Sequence, residues 1–149
     1  MFAKDLMTEA VTTVEESALV EEASRMMAET GVSGLPVVDG EGKMVGMITE
    51  RDLLRRTQGI RPPTFVPVMG AFIYLEHPER FAEDFKKAAS LHVKDVMTTD
   101  VVSVEEGTPL VDIARIMVEQ DINRVPVLRD GKLMGIVARA DVIRALLGS

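Results

Sequence analysis

The chain writes one unit twice, and no other feature constrains its fold as strongly. Lys4-Asp5-Leu6-Met7-Thr8 returns as Lys94-Asp95-Val96-Met97-Thr98, and Val14-Glu15-Glu16 returns as Val104-Glu105-Glu106. Leu35-Pro36-Val37-Val38 returns as Val125-Pro126-Val127-Leu128, and Gly46 through Asp52 as Gly135 through Asp141. A repeat of this kind is one supersecondary unit that cannot bury its apolar face alone. At about 55 residues, each copy is too small to bury much core by itself. The expectation is therefore a single α+β module: two β-α-β-β-α repeats packed about a pseudo-twofold axis, with an inserted segment between them. Residues 1–58 form the first repeat, 59–91 an aromatic-rich insertion or linker, and 92–149 the second repeat.

Local patterns support that order of elements. Ala10 to Val14 and Val101 to Val104 are short β-prone runs. Ser17 and Thr108 stand where helix N-caps belong, with Pro109 at the first helical position. Leu19, Ala23, Met26, Met27 and Thr30 recur at helical spacing, as do Leu110, Ala114 and Met117. Val125 to Leu128 and Leu133 to Val137 flank Asp130-Gly131, a strong hairpin signal. The first copy has the longer Asp39-Gly40-Glu41-Gly42 turn. Short helices over Glu50 to Arg56 and Arg139 to Leu147 close the two copies.

Composition then removes whole classes of function. With no cysteine, thiolate catalysis, disulfides and Cys-ligated metal sites are impossible. His77 and His92 are the two histidines, and neither has a second His at ligand spacing. Glu15-Glu16 and Glu105-Glu106 precede helices and read as structural acids, not as a metal site. The net charge of −7 argues against general nucleic-acid binding, which needs clustered Lys and Arg. The nearly unbroken apolar run Val66 to Leu75 is half the roughly 20 residues that span a bilayer, and the N-terminus has no signal-peptide profile. A cytoplasmic globular protein is expected, without membrane or nucleic-acid partners.

The recurring signature resembles the CBS domain, which occurs in tandem pairs. Leu35-Pro36-Val37-Val38-Asp39, Gly46-Met47-Ile48-Thr49-Glu50-Arg51-Asp52 and their second copies carry the resemblance, over residues 4–57 and 94–147. It implies a small regulatory or sensory module that binds an adenosine nucleotide, of the AMP, ADP or ATP class, in the cleft between the repeats.

Thr49-Glu50-Arg51-Asp52 lies where a strand runs into a helix, and unpaired first-turn amides favour anions there. A carboxylate such as Asp52 can accept from both hydroxyls of a ribose, and Arg51 offers a fork of donors to phosphate. Thr49 and Asp52 also stand at capping-box spacing, so a structural role coexists with the binding one. The second copy reads Ala138-Arg139-Ala140-Asp141: the cap hydroxyl is gone and the carboxylate stays. The resemblance further implies phosphate contacts from Ser33, Asn123 and Arg124, in the loops before the Pro-containing strands. These residues can equally satisfy their own turns. The arrangement favoured is ribose at Asp52 with phosphate facing Asn123, Arg124 and Arg139. Val11 and Val101 would supply purine contact in the family geometry, though core packing explains them as well.

The insertion holds four of the five Phe. Phe81 and Phe85, four apart on a helix expected after His77-Pro78-Glu79, must bury their rings as a structural flap, a lid or a docking surface. Catalysis is not expected, because Ser and Thr have no repeated His partner and the duplicated residues are a ribose-type Asp and glycines. Two alternatives stand beside the nucleotide reading. One is a ligand-independent homodimeric scaffold associating through its helices; the other is a sensor of S-adenosylmethionine or a similar adenosyl compound. Under the nucleotide reading the chain is a homodimer acting in trans on a protein target.

Overall fold

The computed structural model describes residues 1–56, 65–68, 71–74, 83 and 91–148. The first copy runs β1 (Val14–Glu15), α2 (Val20–Thr30), β2 (Gly34–Val38), β3 (Met44–Thr49) and α3 (Glu50–Arg56), preceded by α1 (Ala3–Leu6). A hairpin of β4 (Phe65–Val68) and β5 (Ala71–Tyr74) follows. The second copy runs α4 (Val93–Val96), β6 (Val104–Glu105), α5 (Leu110–Glu119), β7 (Arg124–Arg129), β8 (Lys132–Ala138) and α6 (Arg139–Leu146). Each copy contributes a three-stranded sheet, in the orders β1-β2-β3 and β6-β7-β8. Mixed α+β architecture in two copies is thus what the sequence announces. The helix expected around Phe81 and Phe85, with its lid or docking role, lies outside the described residues.

The same register recurs in both sheets. Val14 pairs in parallel with Val37, and Val104 with Val127. β7 and β8 then run antiparallel, Arg124 opposite Ala138 and Arg129 opposite Lys132. The hairpin signal is borne out in detail: Asp130 and Gly131 have φ of 52° and 81°, the two left-handed residues that a type I′ turn requires. In the first copy Asp39 Oδ1 instead accepts from the amides of Glu41 and Lys43, at 2.9 and 3.0 Å, which closes the longer turn.

The strands before the first helices are shorter than their β-prone runs suggest. Val11 donates to the Glu9 carbonyl and Val101 to the Thr99 carbonyl, at 2.9 and 3.1 Å. These three-residue turns confine each strand to its last two positions. The helix starts also differ from expectation. Leu19 and Pro109 are the N-caps, and neither gives a side-chain bond. Backbone from elsewhere in the chain takes their place: Val20 donates to the Leu91 carbonyl at 2.7 Å and Leu110 to the Met1 carbonyl at 3.0 Å. The Thr108 hydroxyl accepts from Glu105 and closes the turn after β6.

The chain divides into two compact units that do not follow the repeats. One comprises Met1–Glu15, Pro36–Gly46 and Thr99–Ser149, the other Glu16–Leu35 and Met47–Thr98. The Lys-Asp-x-Met-Thr segments are exchanged between copies. In the first unit, Ala3 and Lys4 donate to the carbonyls of Thr108 and Glu106, and Thr8 forms a two-bond bridge with Ile136. In the second unit, Val93 and Lys94 donate to the carbonyls of Ala18 and Glu16, and Thr98 bridges Met47.

The first unit's core is Ala3, Val104, Ile113, Met117, Val125, Val127, Val137 and Val142. Ala3, from the exchanged segment, is fully buried within it. The second unit buries Val20, Ala23, Met27, Leu35, Ile48 and Val93. Burying a Leu, Ile or Val is worth about 1.5–3 kcal/mol, and the fully buried Ile48 anchors the end of β3 directly before Thr49.

Candidate functional site

β3 ends at Thr49 and α3 starts at Glu50, which puts two acidic residues, Glu50 and Asp52, in the helix's first turn. Asp52 is the buried charged residue among those described, 5% exposed. Its Oδ2 accepts from the Thr49 amide at 2.9 Å and the Thr49 hydroxyl at 3.0 Å. Its amide donates back to the Thr49 hydroxyl at 3.3 Å, which completes the capping box. Oδ1 accepts from the Thr98 hydroxyl at 2.9 Å, and Arg55 Nη1 stands 4.0 Å away. A carboxylate can be buried this way because hydrogen bonds replace its lost hydration.

The other candidates of this unit gather at the same helix start. The Ser33 carbonyl accepts from the Glu50 amide at 2.9 Å, so the loop before β2 is fastened to the first turn of α3. Gly34 lets these backbones approach: a Cβ there would stand 3.2 Å from Thr49 Cγ2 and 3.4 Å from the Ile48 carbonyl. The side chains of Ser33 and Arg51 are exposed.

Val11, Val101, Asn123, Arg124, Arg139 and Asp141 belong to the other compact unit. Four of them assemble at the start of α6. The Arg139 amide donates to the Asn123 carbonyl at 2.8 Å, and its guanidinium to the Ile122 carbonyl at 3.4 Å. Arg124 lies opposite Ala138 in the β7–β8 ladder. Asp141 Oδ2 accepts from the Ala138 amide at 2.9 Å, while Oδ1 pairs with Arg144. Only half of a capping box survives here, because Ala138 has no hydroxyl to return. The side chain of Asp141 is 15% exposed, against 4% for that of Asp52.

Val11, with Glu9, Thr13, Val38, Leu133 and Met134, lines a cavity of about 210 Å3. That is smaller than the roughly 300–1,000 Å3 of pockets that enclose a drug-sized ligand. Val101 is half-buried and joins none of the other candidates by a hydrogen bond. Thr98 is the site residue that sequence reasoning passed over. Its signal was there, since Lys-Asp-x-Met-Thr is duplicated, but only folding brings its hydroxyl to a carboxylate 46 positions away.

No group of three or more metal-ligating side chains occurs among the described residues. Among those same residues, no helix is long and apolar enough to cross a membrane.

Compared with known proteins, the chain matches the CBS domain at residues 3–59 and again at 93–148. The uncharacterised protein MJ1426 of Methanocaldococcus jannaschii is 33% identical over 155 residues, covering 99% of this chain and 92% of that protein. The chloroplastic CBS domain-containing protein CBSX1 of Arabidopsis thaliana is 33% identical over 143 residues, 90% of this chain. The chain thus spans nearly all of MJ1426 but only 58% of CBSX1. The solved structure of CBSX2 in complex with AMP superposes with a TM-score of 0.73 at 30% identity, over 99% of this chain and 96% of that one. MJ1225 of M. jannaschii, a putative archaeal homolog of γ-AMPK, superposes with a TM-score of 0.76 at 25% identity, over 97% of this chain and 47% of that one.

Proposed function

The chain belongs to the CBS domain family as a tandem pair, a regulatory module, and we propose that it is non-catalytic and binds an adenosine nucleotide of the AMP, ADP or ATP class at the helix starts of Asp52 and Asp141. The observation that carries this reading is Asp52: a carboxylate at a helix N-terminus with side-chain hydroxyls donating to both of its oxygens. The 2′ and 3′ hydroxyls of a ribose offer the same donors. Asp141 keeps the carboxylate where the cap hydroxyl is lost; it still caps the Ala138 amide through Oδ2, and a ribose role explains the carboxylate in both copies. Arg51, Arg124 and Arg139 supply charge-assisted donors for phosphate, with Ser33 and Asn123 as neutral ones. Val11 and Val101 supply apolar contact for the purine. The AMP complex of CBSX2 supports the choice of ligand class.

Binding alters shape or association, through which a homodimer acts in trans on a protein target. A thermal-shift panel of AMP, ADP, ATP, GTP and S-adenosylmethionine tests the reading. A ligand at a hundred times its Kd adds about 2.7 kcal/mol, a rise of roughly 5–10 °C for a chain of this size. The rise must come with an adenosine nucleotide and vanish in Asp52→Ala/Asp141→Ala. A flat panel overturns the reading in favour of a ligand-independent homodimeric scaffold. One observation favours that second reading: α5 exposes Val111 and Val118, and α6 with its C-cap exposes Ile143, Leu146 and Leu147.

A further inference from the structure

A carboxylate presents about four lone-pair sites to donors. Asp52 uses three of them, for the Thr49 amide, the Thr49 hydroxyl and the Thr98 hydroxyl. One remains, and a vicinal diol needs two. Asp141 uses two, for the Ala138 amide and the exposed Arg144 side chain, and therefore keeps two. The burials agree with this count, since the Asp141 side chain is the more exposed.

Resting on the nucleotide reading above, we propose that the two duplicated sites are unequal: Asp141 is open to a ribose diol, whereas Asp52 is latched by the Thr98 hydroxyl. Thr98 is the bond that gives way. The Thr49 hydroxyl is held from both sides, donating to Oδ2 and accepting from the Asp52 amide, and belongs to the same helical turn. Thr98 comes from another element, and it is exposed.

The latch sits at an informative place in the chain. Thr98 is the last residue of one compact unit, and Thr99 begins the next segment of the other. Its backbone partner Met47 likewise begins a segment, directly after Gly46. A diol that takes the Thr98 position on Asp52 releases a side chain at the point where the chain passes between units. Occupancy of this site thereby releases the Thr98 side chain, and occupancy of the Asp141 site does not.

Calorimetric titration of AMP into Asp141→Ala isolates the latched site, and Thr98→Val in that background removes the latch hydroxyl while keeping its volume. One hydrogen bond's worth of competition is about fivefold in affinity, so the Val variant binds about fivefold tighter. Thr98→Ser, which keeps the hydroxyl, restores the affinity of Asp141→Ala alone. In the otherwise unaltered protein, saturating AMP accelerates hydrogen exchange of the Thr98 and Met47 amides. Equal or weaker binding by Thr98→Val, with AMP still bound, overturns the latch and leaves the nucleotide reading standing. Absence of AMP binding by the unaltered protein, or undiminished binding by Asp52→Ala/Asp141→Ala, overturns both.

Discussion

Replacing Gly135 by alanine places a methyl group where the exchanged N-terminal segment crosses β8. The new Cβ would stand 2.8 Å from Met7 Cγ, 2.8 Å from Met7 Sδ and 2.8 Å from the Thr8 carbonyl oxygen. Met7 can rotate away, but Thr8 cannot, because it exchanges two backbone hydrogen bonds with Ile136, at 2.9 and 3.0 Å. The protein must absorb the overlap or break that bridge. Overpacking costs about 1–3 kcal/mol, and loss of two backbone bonds at about 0.5–1.5 kcal/mol each gives the same range. At about 2–4 °C per kcal/mol for a chain of this length, Tm falls by roughly 2–12 °C. Differential scanning calorimetry reads this directly, with Gly107→Ala as control, since a Cβ there meets nothing within 4 Å. A Gly135→Ala Tm that matches the control refutes the close docking of residues 3–8 on the second copy.

Other expectations follow from the same geometry. Ala138→Thr restores the missing half of the second capping box and stabilises by about 0.5–2 kcal/mol, read as a rise in the urea midpoint with unchanged slope. Gly131→Ala forces a side chain into φ of 81° and costs about 1–2 kcal/mol, read in the same titration. Ile113→Ala, at a fully buried position of the first unit's core, costs about 2–5 kcal/mol. Val118→Glu, at a position 81% exposed, leaves stability within about 0.5 kcal/mol and, under the proposed self-association through α5, converts the proposed homodimer to monomers in sedimentation. Sedimentation unchanged by that substitution removes α5 from any self-association surface.

What the sequence revealed was what its local chemistry decides. Asp130-Gly131 specifies a turn wherever it occurs between apolar runs, and both residues adopt the left-handed conformation expected of them. Thr49-x-x-Asp52 announced its capping box for the same reason, all partners lying within one helical turn. The misjudged features depend on distant backbone. Ser17 and Thr108 look like caps, yet the carbonyls of Leu91 and Met1 receive the first amides of α2 and α5, so no side-chain cap is needed. Those carbonyls arrive with the exchanged segments, and exchange leaves no mark on periodicity: Lys-Asp-x-Met-Thr reads identically whichever copy it docks on. Thr98 escaped notice for this reason. The hairpin of β4 and β5 was hidden in a run whose apolar pattern gave no alternation to separate a strand from continuous core.

The central claim is that this regulatory pair recognises an adenosine nucleotide through its duplicated helix-start carboxylates. Titration of AMP into the unaltered protein and into Asp52→Ala/Asp141→Ala, with circular dichroism to verify that the variant is folded, tests it most directly. The account predicts saturable binding by the unaltered protein and none by the folded double variant. Equal binding by both, or none by either, contradicts it.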